Sequence, residues 1–170
     1  QSLDHVRIQM DNLDAIAQSN AARLEAAQKL INMKCYVKKG NKWERRDLEC
    51  DHWRGPASSP VIDGDRLIVS YDGFDVQYVV AFDKNSGETL WKKDRGIDYG
   101  TDNGDRKKAY STATVIEYKG RRQAIIPSAM ETISYNPENG DVLWRVRHGG
   151  MNAACRPLFH EGLVYITGGD

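Results

Sequence analysis

Two stretches 53 residues apart carry the same pattern. Residues 81–91 read AFDKNSGETLW and residues 134–144 read SYNPENGDVLW. Gly87 aligns with Gly140, Leu90 with Leu143 and Trp91 with Trp144. Aromatic Phe82 aligns with Tyr135, and turn-opening Asp83 with Asn136. In each copy Asp or Asn opens a turn, Gly supplies the left-handed residue, and a strand follows that ends in Trp. A hairpin stands upstream of each, SSPVIDGDRLIVS from Ser58 and STATVIEYKGRRQAIIPS from Ser111. A third copy opens at Arg156-Pro157-Leu158, and KKGNKWERRDL, with Gly40 and Trp43, reads as an earlier remnant whose Gly-to-Trp gap is one residue short.

Repetition at this period constrains the fold more than any local propensity. A single four-stranded unit cannot cover both faces of its own sheet. Stacking units radially covers them, which predicts β-propeller blades. A Trp at a fixed place in every unit can bury its ring on the neighbouring sheet and send its N–H to a backbone carbonyl. The predicted structural-repeat residues are therefore Asp83, Gly87, Trp91, Asn136, Gly140 and Trp144. Residues 57–170 read as propeller blades, two recognisable and a third incomplete, and residues 35–56 as a linker or degenerate blade strands.

Ahead of residue 35 the period changes. Leu3, Val6, Met10, Leu13, Ala17, Leu24, Ala27 and Ile31 recur at alternating steps of three and four, broken only by Asn20. This predicts an amphipathic α-helix over 1–34. Ile16 and Leu30 widen the stripe, and Gln9, Asp14, Ala21 and Gln28 offer little charge pairing. Packing on a globular surface is one outcome, and self-association through 1–34 is another.

The motifs and constellations of the sequence resemble the propeller family built from pyrroloquinoline-quinone-like repeats, in its bacterial secreted or membrane-tethered members. That family's signature is a Ser-Pro-Val strand, a Gly-Asp hairpin, then Ala-x-Asp-x-x-(Thr/Ser)-Gly-x-x-x-Trp. Residues 58–69 and 81–91 match it, and 111–144 match with Ser134 for Ala and Asn136 for Asp. The resemblance spans residues 55–170. It implies an all-β partial propeller of four-stranded antiparallel blades and an extracytoplasmic, periplasmic setting. It also implies one of two roles. The first is a non-catalytic scaffold for protein or ligand binding, like the lipoprotein that assists outer-membrane β-barrel assembly. The alternative is a fragment of a quinone-dependent dehydrogenase holding pyrroloquinoline quinone with calcium.

The chemistry-bearing residues favour the scaffold with no cofactor. Asp98, Asp102, Asn103 and Asp105 form an acidic loop that partly imitates a calcium site, but the spacing is wrong and no closing Glu follows. It reads as a solvated connection between blades. The four histidines, His5, His52, His148 and His160, do not stand at metal-ligand spacing. His148 and His160 read as surface residues. No Gly-x-Ser-x-Gly, Walker loop or His-Glu-x-x-His occurs. Arg145, Arg147 and Arg156 flank the end of the second repeat, where propeller loops line a central channel. Arg156 is the candidate channel-facing group for an anion or a partner carboxylate.

Charge narrows the partners further. Lys plus Arg total 24 and Asp plus Glu total 24, so no global field draws nucleic acid or an anionic membrane. Arg106-Lys107-Lys108 and Arg121-Arg122 read as solubilising charges on a loop and a hairpin tip. No apolar run approaches the roughly 18 to 20 residues of a membrane span. The expected partners are a protein or remaining propeller blades. The polar start at Gln1 predicts either a removed leader or a piece of a longer protein. Cys35, Cys50 and Cys155 form no dense framework; a Cys35–Cys50 bridge and three separate thiols are the two readings.

Overall fold

The computed structural model describes residues 30–37, 40–52 and 55–169. Strands β1 (Leu30–Val37) and β2 (Gly40–Glu49) pair as an antiparallel hairpin. Strands β3 (Val61–Asp63), β4 (Arg66–Asp72), β5 (Gln77–Asp83) and β6 (Thr89–Asp94) follow as one antiparallel sheet in chain order. Strands β7 (Thr114–Tyr118), β8 (Arg121–Pro127), β9 (Glu131–Tyr135) and β10 (Val142–Arg147) repeat that arrangement. A last hairpin joins β11 (Leu158–His160) to β12 (Leu163–Tyr165). The described residues are thus all-β, with a single short 3₁₀ turn at Gly104–Arg106.

The first four-stranded sheet is buried on both faces, which explains the unbroken apolar run Tyr78–Phe82. Successive side chains of a strand point to opposite sides. Ile68, Val79, Ala81 and Trp91 meet Ala113, Ala124, Ile126, Ile133 and Tyr135 on the side of the second sheet. Val69, Tyr71, Tyr78, Val80 and Phe82 meet Leu48 and Cys50 at the end of β2, with Trp43 packed alongside. A strand covered on both sides has no polar face to alternate with. Each fully buried large apolar side chain contributes about 1.5–3 kcal/mol.

The structure corrects one expectation and decides between two readings. The helix expected over 1–34 lies outside the described residues as far as residue 29, and Leu30–Lys34 are strand. Their Cα partners are Glu49 for Leu30, Leu48 for Ile31, Arg45 for Met33 and Glu44 for Lys34. The heptad series counts Ile31, which belongs to a hairpin whose apolar Leu48 and Trp43 pack against the first four-stranded sheet. Tertiary pairing overrides the helical period there. Of the two cysteine readings, the separate thiol holds for Cys50, which is free and buried. Cys35 pairs with Trp43, seven positions before Cys50, roughly 20 Å along a strand. A disulfide needs Cα atoms within about 7 Å.

Candidate functional site

The repeat residues build one contact twice. Asp83 opens its turn by accepting the backbone N–H groups of Asn85 at 2.8 Å and Ser86 at 2.7 Å. Those bonds, Ser86 first, hold its carboxyl below the usual range. Gly87 closes the turn at φ +77°, and a Cβ there would stand 2.6 Å from Trp43 Cδ2. The Trp43 indole N–H donates to the Lys84 carbonyl of the same turn at 2.9 Å. In the next sheet Asn136 accepts from Glu138 N at 3.0 Å. Gly140, at φ +75°, leaves room for Trp91, whose Cε3 would lie 2.6 Å from a Cβ. The Trp91 N–H donates to the Pro137 carbonyl at 2.9 Å.

Each of these tryptophans therefore sits on the Gly turn of the following sheet. Trp43 fills this place although its gap to Gly40 is short, because Gly40 merely begins β2. Trp144 is bonded differently. It is half-buried and donates to Gln123 Oε1 of its own sheet at 2.7 Å.

At the opposite rim, polar groups converge where the sequence carries no motif. Arg95 follows β6, and Asp72 ends β4. The guanidinium donates through Nε to Asp72 Oδ1 at 2.9 Å and through Nη2 to Oδ2 at 2.6 Å. Ser128, just after β8 in the second sheet, donates to Asp72 Oδ1 at 3.0 Å. Arg95 also reaches the carbonyls of Ile126 at 3.3 Å and Pro127 at 3.4 Å. Both charged side chains are 0% exposed. Burial disfavours the Arg95 charge, but Asp72 and Tyr135 together more than offset it, so the guanidinium pKa is raised. The network clamps the first sheet to the second. It is not repeated: His148, 53 residues beyond Arg95, lies with Nε2 3.1 Å from Thr132 Oγ1 and is half-buried.

The connection after Arg95 is anchored on the fold at Gly104 and Lys108, while its acidic stretch Asp98, Asp102 and Asn103 is exposed. Gly104 lies so close to Phe74 that a Cβ would meet its carbonyl at 2.7 Å. Lys108, expected as a solubilising charge, is buried, pairs with Asp105 and stands 5.0 Å from the Phe74 ring centroid. Three of the loop's oxygen-bearing side chains, Asp98, Asn103 and Asp105, are engaged locally. Asp98 accepts from Gly100 N at 2.9 Å, and Asn103 caps the 3₁₀ turn by accepting from Asp105 N at 3.0 Å. Among the described residues no three His, Cys, Asp or Glu side chains gather as a metal site.

The arginines divide. Arg145 and Arg147 stand on β10 and both bind Glu131, at 3.1 and 3.2 Å. Arg145 also reaches the carbonyls of Gly96 at 3.2 Å and Arg95 at 3.4 Å, and Arg147 that of Asp98 at 3.0 Å. They brace the connection between the sheets. Arg156 is exposed and donates to Thr114 Oγ1 of β7 at 3.1 Å. It edges a groove of about 450 Å³ with Thr114–Glu117 and Pro157–Phe159, between the first strands of two successive units. Arg122 pairs with Asp63 across the two sheets. His160 is exposed, whereas His52 is buried.

A family model described as outer membrane protein assembly factor BamB matches residues 75–170. The chain belongs to this family of pyrroloquinoline-quinone-like propeller repeats. Among solved structures, BamB from Moraxella catarrhalis superposes with a TM-score of 0.57 at 13% identity, over 82% of this chain and 38% of that one. That likeness supports the fold, and the chain spans under two fifths of that protein's length. A europium-containing methanol dehydrogenase superposes at 0.44 and 14% identity, over 72% of this chain and 23% of that one. No curated protein sequence matches.

In the terms of this BamB-like family, β3–β6 and β7–β10 are two blades of a partial propeller. The β1–β2 and β11–β12 hairpins precede and follow these two sheets in the chain. The Asp72–Arg95–Ser128 clamp escaped sequence reasoning because its members are 23 and 56 residues from Asp72, without a shared motif. Arg95 standing four residues after Trp91 was the one available signal.

Proposed function

We propose that this chain is a non-catalytic BamB-like propeller segment that serves as a scaffold for protein or ligand binding outside the cytoplasm, in a periplasmic setting. Family membership over residues 75–170 supports the reading. The observation that carries it is the use of the strongest polar groups as joints. Asp72, Arg95 and Ser128 are bound to one another in the interior, and Glu131, Arg145 and Arg147 bind the inter-blade connection. Such groups fix blade geometry and leave the outer surface for recognition. The Trp–turn contacts act as docking motifs between blades. No helix among the described residues is long and apolar enough to cross a membrane.

The expected partners are a component of outer-membrane assembly and the remaining propeller blades. Arg156 is the group we assign to the channel side, where it takes a partner carboxylate or a small anion. Its Thr114 contact holds the guanidinium at the groove. Equilibrium titration of folded protein with pyrroloquinoline quinone, with and without calcium, tests the scaffold reading. The scaffold shows no saturable calcium-dependent binding. Saturable binding contradicts it and supports a dehydrogenase segment.

A further inference from the structure

His52 is 2% exposed, just past β2 where the chain turns toward the first blade. Its ring packs on Tyr110 with centroids 4.8 Å apart, and Nε2 lies 3.4 Å from the Ala109 carbonyl. Its Nδ1 is buried without a hydrogen-bond partner among the described residues. Both contacts fall on residues 108–111, the strap that leads from the first blade into the second. The strap is also held by three backbone bonds, Ala109 N to Asp72 O at 3.2 Å, Tyr110 N to Ala153 O at 2.8 Å and Asn152 N to Lys108 O at 3.1 Å, by the Ser70 hydroxyl donating to the Ser111 carbonyl at 3.4 Å, and by Lys108 against Asp105 and Phe74.

The charged groups around the ring give an imidazolium little support. Asp72 is the nearby carboxylate, and Arg95 and Ser128 already bind it. Lys108, on the strap, is a like charge paired with Asp105. Asp51 precedes His52, and its backbone N–H is held by the Asp75 carboxylate at 2.8 Å. A buried charge without an open partner is costly, and opening the strap hydrates it.

We infer that His52 is a pH-operated latch: neutral, it holds residues 108–111 against the first blade, and protonated, it releases them. Burial lowers the imidazole pKa and outweighs the Ala109 carbonyl and the Asp72 charge, which oppose it, while Lys108 adds a smaller push in the direction of burial. Between that lowered value and the ordinary one near 6.5, the released state binds more protons, so closure weakens as pH falls.

Hydrogen exchange of the full chain at about pH 7.5 and about pH 5.5, corrected for intrinsic rates, tests the latch. Protection of Ala109 and Tyr110 is expected to fall on acidification, by up to about tenfold, because pH 5.5 lies about one unit below the free imidazole value of 6.5. The fall disappears in His52→Phe, which keeps an aromatic ring and cannot charge. Unchanged wild-type protection, or an equal fall in His52→Phe, overturns the proposal. Should His52→Phe not fold, NMR titration of the wild-type imidazole decides. A midpoint below 6.5 that coincides with opening of 108–111 supports the latch. An ordinary midpoint without opening overturns it.

Discussion

The Trp91 ring occupies the space that a side chain at Gly140 would need, and its N–H is bonded to Pro137 in the same turn. One residue of the first blade thereby fixes both the conformation and the distance of a turn in the second. Trp43 does the same to the Gly87 turn. Trp91→Phe keeps an aromatic ring and strips the N–H from the Pro137 carbonyl. It is expected to cost about 1 kcal/mol, and Trp91→Ala about 3–5 kcal/mol, in urea unfolding. Half-buried Trp144→Ala should cost less.

Removing half of the buried clamp should be far worse than removing all of it. Asp72→Ala leaves the Arg95 guanidinium uncompensated in the interior, with an expected loss of about 3–5 kcal/mol. Replacing both residues, as Asp72→Leu with Arg95→Met, should recover much of that loss. Chemical denaturation of wild type and the two variants measures it. A double variant as damaged as Asp72→Ala would show that the pair is not an isolated clamp.

The two described free thiols should differ sharply in reactivity. Burial, aided by Asp75, Asp72 and Asp51, pushes the Cys50 thiol up to about 12, whereas Cys155 is exposed. Thiolate is the reactive form. Alkylation at neutral pH followed by peptide mass spectrometry is expected to label Cys155 quickly and Cys50 only after unfolding. Equal labelling of native protein would contradict the packing of Cys50 with Tyr71 and Tyr78.

Acid should weaken the β2 edge before it reaches the blade core. The Asp47 carboxyl is lowered from 3.8 to about 2, chiefly by its hydrogen bond from Arg45. A depressed carboxyl stabilises the fold above its unfolded value and loses that contribution as pH falls from 3.8 toward 2. The side chain is largely exposed, so the effect is small. Asp47→Asn should flatten the acid limb of a stability-against-pH curve in that window, and an unchanged limb would assign acid sensitivity elsewhere.

Much of this architecture was legible because a repeated solution leaves a repeated sequence. The spacing of Gly87 and Trp91 and of Gly140 and Trp144 marked equivalent turns and strands, and Tyr78–Phe82 marked a β-rich run. The β1 strand was hidden because Leu30 and Ile31 continue an apolar series compatible with a helix, and only pairing with Glu49 and Leu48 distinguishes them. The Asp72–Arg95 clamp was hidden for another reason. It occurs once, depends on proximity in space between residues distant in the chain, and uses residue types that are ordinarily exposed.

A double-mutant cycle joining Trp91→Ala to Gly140→Ala tests the inter-blade contact most directly, with Gly120→Ala as the reference. Gly120 shares the φ of +75°, but nothing lies within 4 Å of the position its Cβ would take. Beside Trp91, Gly140→Ala should exceed Gly120→Ala by about 1–3 kcal/mol in urea unfolding. In the Trp91→Ala background most of that excess should vanish, since only the flexible Lys93 side chain then stands against the added Cβ. An excess that persists undiminished without the indole would contradict the claim that Trp91 docked on the Gly140 turn joins the two blades.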